Sequence, residues 1–350
     1  MSSATCYRYR IPLTAPLSVP NGSLSHREGL LIAVEHPSGG TCWGEAAPLP
    51  GFCDTSLDTV QQQAQAWIDG GGANRLTDDD SLYADDTPGS LQFAIDHIAL
   101  QWAAHEVGTS LLNYCGIDRV MQSGNALWRD SEDRDMRQAL LELKAEGVST
   151  VKVKVGHRAV EDDLDHLDAL FASLPTGMQV RLDANQAWTR DEAATVCEAL
   201  QHRRALSYLE EPLQPTADLR AFLDETSVPI ALDETLRQHG MDTVVDWPVA
   251  AFVVKPAWTG IRRVQAWADR VAPTPVVVTS AYETGVGWRG TLAVAVQVTP
   301  ADVAIGMSTY SALAEDFTRP ALPNVQGKLL LTAPGMLSNW TVDRTQLQAV

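Results

Sequence analysis

The stretch Thr150-Val151-Lys152-Val153-Lys154-Val155-Gly156 decides the fold. Apolar and charged residues alternate along it, the period-two signature of a strand with one buried face. Lys152 and Lys154 share one side, and Val151, Val153 and Val155 share the other. Lysine is scarce, confined to Lys144, Lys152, Lys154, Lys255 and Lys328. Two of them on one strand face point to chemistry. Taken alone, the stretch fits an edge strand with solvated lysines equally well.

Outward from this strand the chain repeats one unit, a short apolar run followed by a helical pattern. The runs are Ala126-Leu127-Trp128, Val151 to Val155, Val180 to Asp183, Leu206 to Glu210, Pro229 to Asp233, Ala251 to Lys255, Val276 to Ser280 and Val303 to Gly306. This spacing predicts a parallel sheet closed by helical crossovers, the rhythm of a (β/α)-barrel. Thr189-Arg190-Asp191-Glu192 has the spacing of a capping box. Residues 1 to about 50 read as antiparallel strands around Tyr7–Ile11, Leu30–Val34 and Cys42–Ala46, with a turn at Pro37-Ser38-Gly39-Gly40. Helical periodicity follows over 56–70 and 90–106. The fold class is therefore α/β, a barrel over 111–319 with an α+β capping domain over 1–110. The proline-marked tail, 320–350 with Pro320, Pro323 and Pro334, is expected to return to the cap.

The formal net charge is −18, from 44 acidic and 26 basic residues. Such a field repels nucleic acid and anionic membranes, so neither is expected as a partner. Acidic clusters at Asp78-Asp79-Asp80, Asp85-Asp86 and Asp162-Asp163, with so little lysine, suggest a salt-adapted surface. The five cysteines, Cys6, Cys42, Cys53, Cys115 and Cys197, are scattered and odd in number. That argues against a disulfide framework or thiolate zinc site and fits a reducing cytoplasm. The N-terminus lacks a signal-peptide core, and no apolar run reaches membrane-spanning length.

In this register a polar residue ends strand after strand: Lys152 and Lys154, then Asp183, Glu210, Asp233 and Lys255. Barrel strand ends converge on one mouth. A lone Asp at such an end is an ordinary helix N-cap; three carboxylates on successive strands, flanked by lysines, suit a hard divalent cation, Mg²⁺ or Mn²⁺. With the cation the mouth carries net positive charge and suits a small anionic carboxylate substrate. Crowded cations are expected to depress a lysine pKa and free a base. The chemistry is proton abstraction beside a carboxylate, with the metal stabilising the enediolate.

Lys152-Val153-Lys154, Leu182-Asp183-Ala184-Asn185, Leu209-Glu210-Glu211-Pro212, Leu232-Asp233-Glu234-Thr235 and Val254-Lys255-Pro256 together resemble the muconate-cycloisomerase branch of the enolase superfamily. Arg27-Glu28-Gly29-Leu30 and Gly44-Glu45-Ala46-Ala47-Pro48-Leu49-Pro50-Gly51-Phe52 narrow the resemblance to the o-succinylbenzoate synthase family. The resemblance covers nearly the whole chain. It implies that Asp183, Glu210 and Asp233 bind Mg²⁺, that Lys154 is the base and the acid for departing hydroxide, and that Lys255 stabilises the enediolate from the opposite face. Lys152 becomes an electrostatic partner, while Glu211 and Glu234 face outward or support the ligands. The implied reaction is a dehydration in menaquinone or phylloquinone synthesis. N-acylamino acid racemase or dipeptide epimerase activity, using Lys154 and Lys255, stays open, as does a catalytically silent binding barrel.

Gly285-Val286-Gly287-Trp288-Arg289-Gly290 formally matches GxGxxG but follows the seventh barrel strand, where a nucleotide fingerprint does not belong. Its amides are expected to receive a substrate carboxylate, with Ser280 and Gly306 nearby. Arg181, two residues before Asp183, is expected either at the substrate anion or in a structural ion pair. Trp43 and Phe52 read first as core, and the eight histidines show no metal-ligand spacing.

Overall fold

The computed structural model describes residues 3–20, 22–77, 82–128, 135–215, 217–322 and 325–350. The Asp78-Asp79-Asp80 cluster and Pro323 lie outside the described residues. The N-terminal part is a meander of β1 (Ala4–Val19), β2 (Gly22–Glu35) and β3 (Thr41–Ala46). β1 and β2 are much longer than their apolar segments, because the hairpin continues past the core as a two-stranded arm with a register shift between Pro12 and Leu17. The turn at Pro37–Gly40 closes on a His36 N to Gly40 O bond of 3.0 Å. Helices α1 (Leu57–Asp69) and α2 (Gly89–Glu106) pack over one sheet face, around Ile32, Val60, Trp67 and Ile95.

Seven parallel strands form the second unit. They run β5 (Ala126–Trp128), β6 (Thr150–Lys154), β7 (Gln179–Asp183), β8 (Leu206–Glu210), β9 (Ile230–Leu232), β10 (Ala251–Val254) and β11 (Val276–Val278), each bonded to the next in chain order. The expected eighth strand at Val303–Gly306 is reduced to two isolated bridges. Ile305 pairs with Gly124, at the end of β4 (Met121–Gly124), and Gly306 pairs with Thr279. Those bridges close the ring between its first and last strands.

Alternation on β6 comes out as its sequence dictates. Val151, Val153 and Val155 are buried in the cluster between sheet and helices, while Lys152 and Lys154 face the barrel axis. Inside the ring, Tyr208, Ala231, Ala251, Val253 and Val277 fill the floor beneath the strand ends. The capping box at Thr189 and Glu192 forms, with both reciprocal bonds present. The tail splits its allegiance. Gly327–Leu330 pairs with β4 at the base of the barrel, whereas Gln348 and Ala349 pair with β1.

Candidate active site

The strand ends deliver their polar residues to one mouth. Lys152 Nζ lies 2.8 Å from Asp183 Oδ2 and 2.7 Å from Glu210 Oε2. Lys154 Nζ reaches the same Asp183 oxygen at 2.6 Å and also donates to Asn185 Oδ1. Across the mouth, Lys255 Nζ is paired with Asp233 Oδ2 and sits 5.1 Å from the Trp258 ring centroid. The two β6 lysines differ in access: the Lys154 side chain is 46% exposed and the Lys152 side chain 18%. Lys154 is therefore placed to meet a ligand, and Lys152 is enclosed between carboxylates.

Burial pushes the Asp183 carboxyl up, but Lys152 and Lys154 overcome it and hold it well below the usual carboxylate range. Burial and the neighbouring Asp183 charge raise Glu210 to about 7. The expected depression of a lysine is not what the mouth gives Lys152 and Lys255. Burial alone would lower each ammonium, yet facing carboxylates (Asp183 and Glu210 for Lys152, Asp233 and Glu234 for Lys255) outweigh it and raise both.

Among the described residues, no three His, Cys, Asp or Glu side chains already stand together as a metal cage. Asp183, Glu210 and Asp233 each turn an oxygen to a lysine instead. The donors nonetheless fit a hard divalent cation. All three are carboxylates on neighbouring strands, and two buried oxygens, Glu210 Oε1 and Glu234 Oε2, have no hydrogen-bond partner. Carboxylate oxygens of this kind suit Mg²⁺, which keeps several waters beside a few protein ligands.

Glu211 does not face outward. It is fully buried, with Oε1 accepting from the Asp233 and Thr235 amides at 2.7 Å each and Oε2 from the Thr235 hydroxyl at 2.7 Å. It thereby fixes the turn carrying Asp233. Glu234 lies at the mouth, its Oε1 accepting from Asn185 Nδ2 at 2.9 Å. Asn185 had no expected role, yet it links Glu234 to Lys154. Its positive φ of 45°, two residues beyond Asp183, marks a tight turn that an Asn tolerates.

The other expected contacts fall less evenly. Arg181 points into the barrel below the mouth, where Nη1 donates to the Ala304 carbonyl at 2.6 Å and the guanidinium lies 4.9 Å from the Tyr208 ring. Its position is a structural brace. Ser280 Oγ lies 3.2 Å from Gly306 O and 2.6 Å from Thr309 Oγ1, placing Ser280 and Gly306 together on the β11 side. The glycine-rich segment opens α3 (Gly285–Val298), and its amides are already taken. Glu45, from the cap, accepts from the Thr284 amide at 3.0 Å and the Gly287 amide at 2.9 Å; Asp316 accepts from Gly285 at 2.9 Å. A carboxylate does sit on that helix N-terminus, as the dipole favours, but it belongs to the protein.

Phe52 is no core residue. Its ring stacks on Trp258 at 5.6 Å, and its carbonyl accepts from Arg237 Nη1 at 2.8 Å. The cap loop thus covers a cavity of about 360 Å³ that reaches Lys255 and Asp233. Trp43, by contrast, is buried within the cap.

A capped (β/α)-barrel with carboxylates and lysines on successive strand ends defines an enzyme class, the enolase superfamily. The family described as Enolase C-terminal domain-like matches residues 135–339, and the MenC N-terminal domain family matches residues 1–100. The o-succinylbenzoate synthase of Yersinia pseudotuberculosis serotype O:1b (strain IP 31758) is 30% identical over 328 residues, covering 91% of this chain and 94% of that one. The structure of o-succinylbenzoate synthase from Thermosynechococcus elongatus BP-1, complexed with Mg in the active site, matches with a TM-score of 0.73 at 25% identity, over 91% of this chain and 96% of that one. N-succinyl Arg/Lys racemase from Bacillus cereus ATCC 14579 reaches a TM-score of 0.80 at 17% identity, over 100% and 99% of the two chains, a likeness of fold. The chain belongs to the o-succinylbenzoate synthase family of the enolase superfamily.

Proposed function

We propose that the protein dehydrates 2-succinyl-6-hydroxy-2,4-cyclohexadiene-1-carboxylate to o-succinylbenzoate. The observation that carries this reading is the joint placement of Lys154, Asp183, Glu210, Asp233 and Lys255 at one mouth, in a chain 30% identical to a synthase of that name. In this reading the catalytic barrel spans 111–319, under a cap of 1–110 to which the end of the chain returns.

Asp183, Glu210 and Asp233 would hold Mg²⁺, and Mn²⁺ would suit the same donors. When bound, the cation neutralises charge that builds on the substrate carboxylate. Lys154 Nζ takes the proton from the carbon beside that carboxylate, then returns a proton to the departing hydroxide. Lys255 faces the developing negative charge from the opposite wall. Lys152, fixed between Asp183 and Glu210, orients both carboxylates. Phe52 and Trp258 close the site against water. Aromatisation of the ring supplies the driving force.

A second reading rests on Lys154 of β6 and Lys255, just past β10, facing each other across the mouth, since racemisation needs a base on each face. Dehydration assayed with and without Mg²⁺, beside incubation of N-acyl amino acids in D₂O, separates the two. The synthase reading expects Mg²⁺-dependent dehydration. Efficient α-exchange with racemisation and no dehydration overturns it.

A further inference from the structure

Arg27 and Glu45 belong to the cap motifs that the chemistry above leaves unused, and both are buried. Arg27, on β2, spends its guanidinium entirely on backbone carbonyls. Nε donates to Tyr282 O at 3.1 Å, Nη1 to Pro48 O at 2.9 Å and Glu28 O at 3.0 Å, and Nη2 to Ala47 O. Two of those carbonyls, of Ala47 and Pro48, begin the cap loop that carries Phe52 over Lys255. Of the other two, Glu28 O lies beside Arg27 on β2, and Tyr282 O belongs to the barrel loop after β11 that carries Ser280. One planar fork therefore spans the two loops that meet over the mouth, a geometry that lysine cannot reproduce.

The barrel side of this bridge is tightly specified. Tyr282 holds a φ of 65°, a strained value for a bulky residue. Its amide donates to Thr309 Oγ1 at 3.0 Å, the same hydroxyl that lies 2.6 Å from Ser280 Oγ. Two residues on, Thr284 is held through its amide and hydroxyl by Glu45, which also accepts from Tyr9 Oη at 2.6 Å. On the cap side, the loop's far end is held by Arg237 at Phe52 O. The β11 loop is thus fixed by the barrel, and Arg27 transmits that position to the loop above.

We propose that Arg27 is a positioning residue that sets the closed placement of the Phe52 loop against the Ser280 loop, and through it substrate affinity. Its catalytic consequence rests on the dehydratase reading; its structural consequence does not. Its guanidinium bonds backbone carbonyls of the two loops rather than either reacting lysine, so the chemical step itself is spared.

Arg27→Lys keeps the charge and loses the fork. The expected result is a KM raised about tenfold with kcat within about threefold, the pattern of lost binding that is uniform through the reaction. Limited chymotryptic digestion supplies a readout that needs no activity. Cleavage after Phe52 is expected to accelerate while cleavage elsewhere keeps its wild-type rate. A variant with wild-type KM and wild-type cleavage after Phe52 overturns the proposal. So does a lower kcat at unchanged KM, or accelerated cleavage throughout the chain, which marks a merely structural role. Should Arg27→Lys not fold, Arg27→Gln keeps an amide donor for the cap carbonyls but gives up the fork that also reaches Tyr282 O, and an unchanged KM there overturns the proposal equally. If the wild type shows no dehydration, the function fails while the digestion still tests Arg27.

Discussion

Lys154 Nζ stands 2.6 Å from Asp183 Oδ2, and the two residues are direct partners in the register of adjacent parallel strands. The proposed base and the first of the proposed carboxylate ligands are therefore positioned by one strand pairing, with no loop between them. A one-residue slip of either strand would turn its own residue to the helix side of the sheet and part the pair. The pairing is what the alternating valines secure.

Loss of the Lys154 amine follows directly. Lys154→Ala is expected to lower kcat by about 10³-fold, the scale of a general acid–base contribution. Lys154→Arg is expected to be equally inactive, because a guanidinium stays protonated and cannot accept the proton. KM is expected to change little in either. Steady-state dehydration kinetics check both variants, and wild-type turnover in either would remove Lys154 from the chemistry.

The ligand assignment is checked by binding rather than turnover. Asp183→Asn, Glu210→Gln and Asp233→Asn are each expected to weaken Mg²⁺ affinity at least tenfold in calorimetric titration. In the wild type, Mg²⁺ at about 100 times its Kd is expected to add about 2.7 kcal/mol of stability, and chelator is expected to remove it. An unfolding midpoint indifferent to Mg²⁺ and chelator would count against the site.

Much of this arrangement was legible because strand periodicity and strand-end chemistry are local. The alternation of β6 assigns its lysines inward; Asp183 and Glu210 end their strands as read, and Asp233 and Lys255 stand one residue past the ends of β9 and β10. What escaped the sequence is long-range. Glu45 occupies the N-terminus of α3 from 239 positions away in the chain, and no local pattern distinguishes that from a ligand-binding turn. Arg181 braces Ala304 for the same reason, its partner lying 123 positions on. Phe52 reads as core by composition, and only the fold sets it on Trp258. The eighth run was read as a full strand, and the structure pairs only Ile305 and Gly306 there, because an apolar run does not say how many of its residues a neighbouring strand will bond.

Glu283 offers a pH test outside the mouth. It is buried, its Oε2 accepting from the Ala281 amide at 2.6 Å and its Oε1 from Thr291 Oγ1 at 3.1 Å. Burial raises its pKa from 4.5 to about 7. The folded state thus holds a proton that the unfolded chain releases, so this group's contribution is fully present below 4.5 and lost as pH rises to about 7. Glu283→Gln removes the ionisation while keeping the shape. It is expected to stabilise the protein by about 1–3 kcal/mol at pH 8 and to be near neutral at pH 4. Urea unfolding across that range decides it, and a difference that does not grow with pH would refute the assignment.

The acidic surface leads to a prediction about salt. With a net charge of −18, the compact state carries substantial self-repulsion, and lysine is too scarce to neutralise it locally. Surface pairs such as Arg270 with Asp242 and Arg220 with Asp224 are exposed on both partners. Exposed pairs contribute about 0–1 kcal/mol each, so screening them removes little. Screening the repulsion should remove more, since about 1 M salt shortens the Debye length to about 3 Å. The unfolding midpoint is therefore expected to rise as KCl increases from about 0.05 M to about 1 M. Thermal unfolding in KCl checks it against the same series in sucrose, which stabilises without screening charge. A midpoint highest at low salt would mean that the ion pairs outweigh the repulsion, and the reading of a salt-adapted surface would fall.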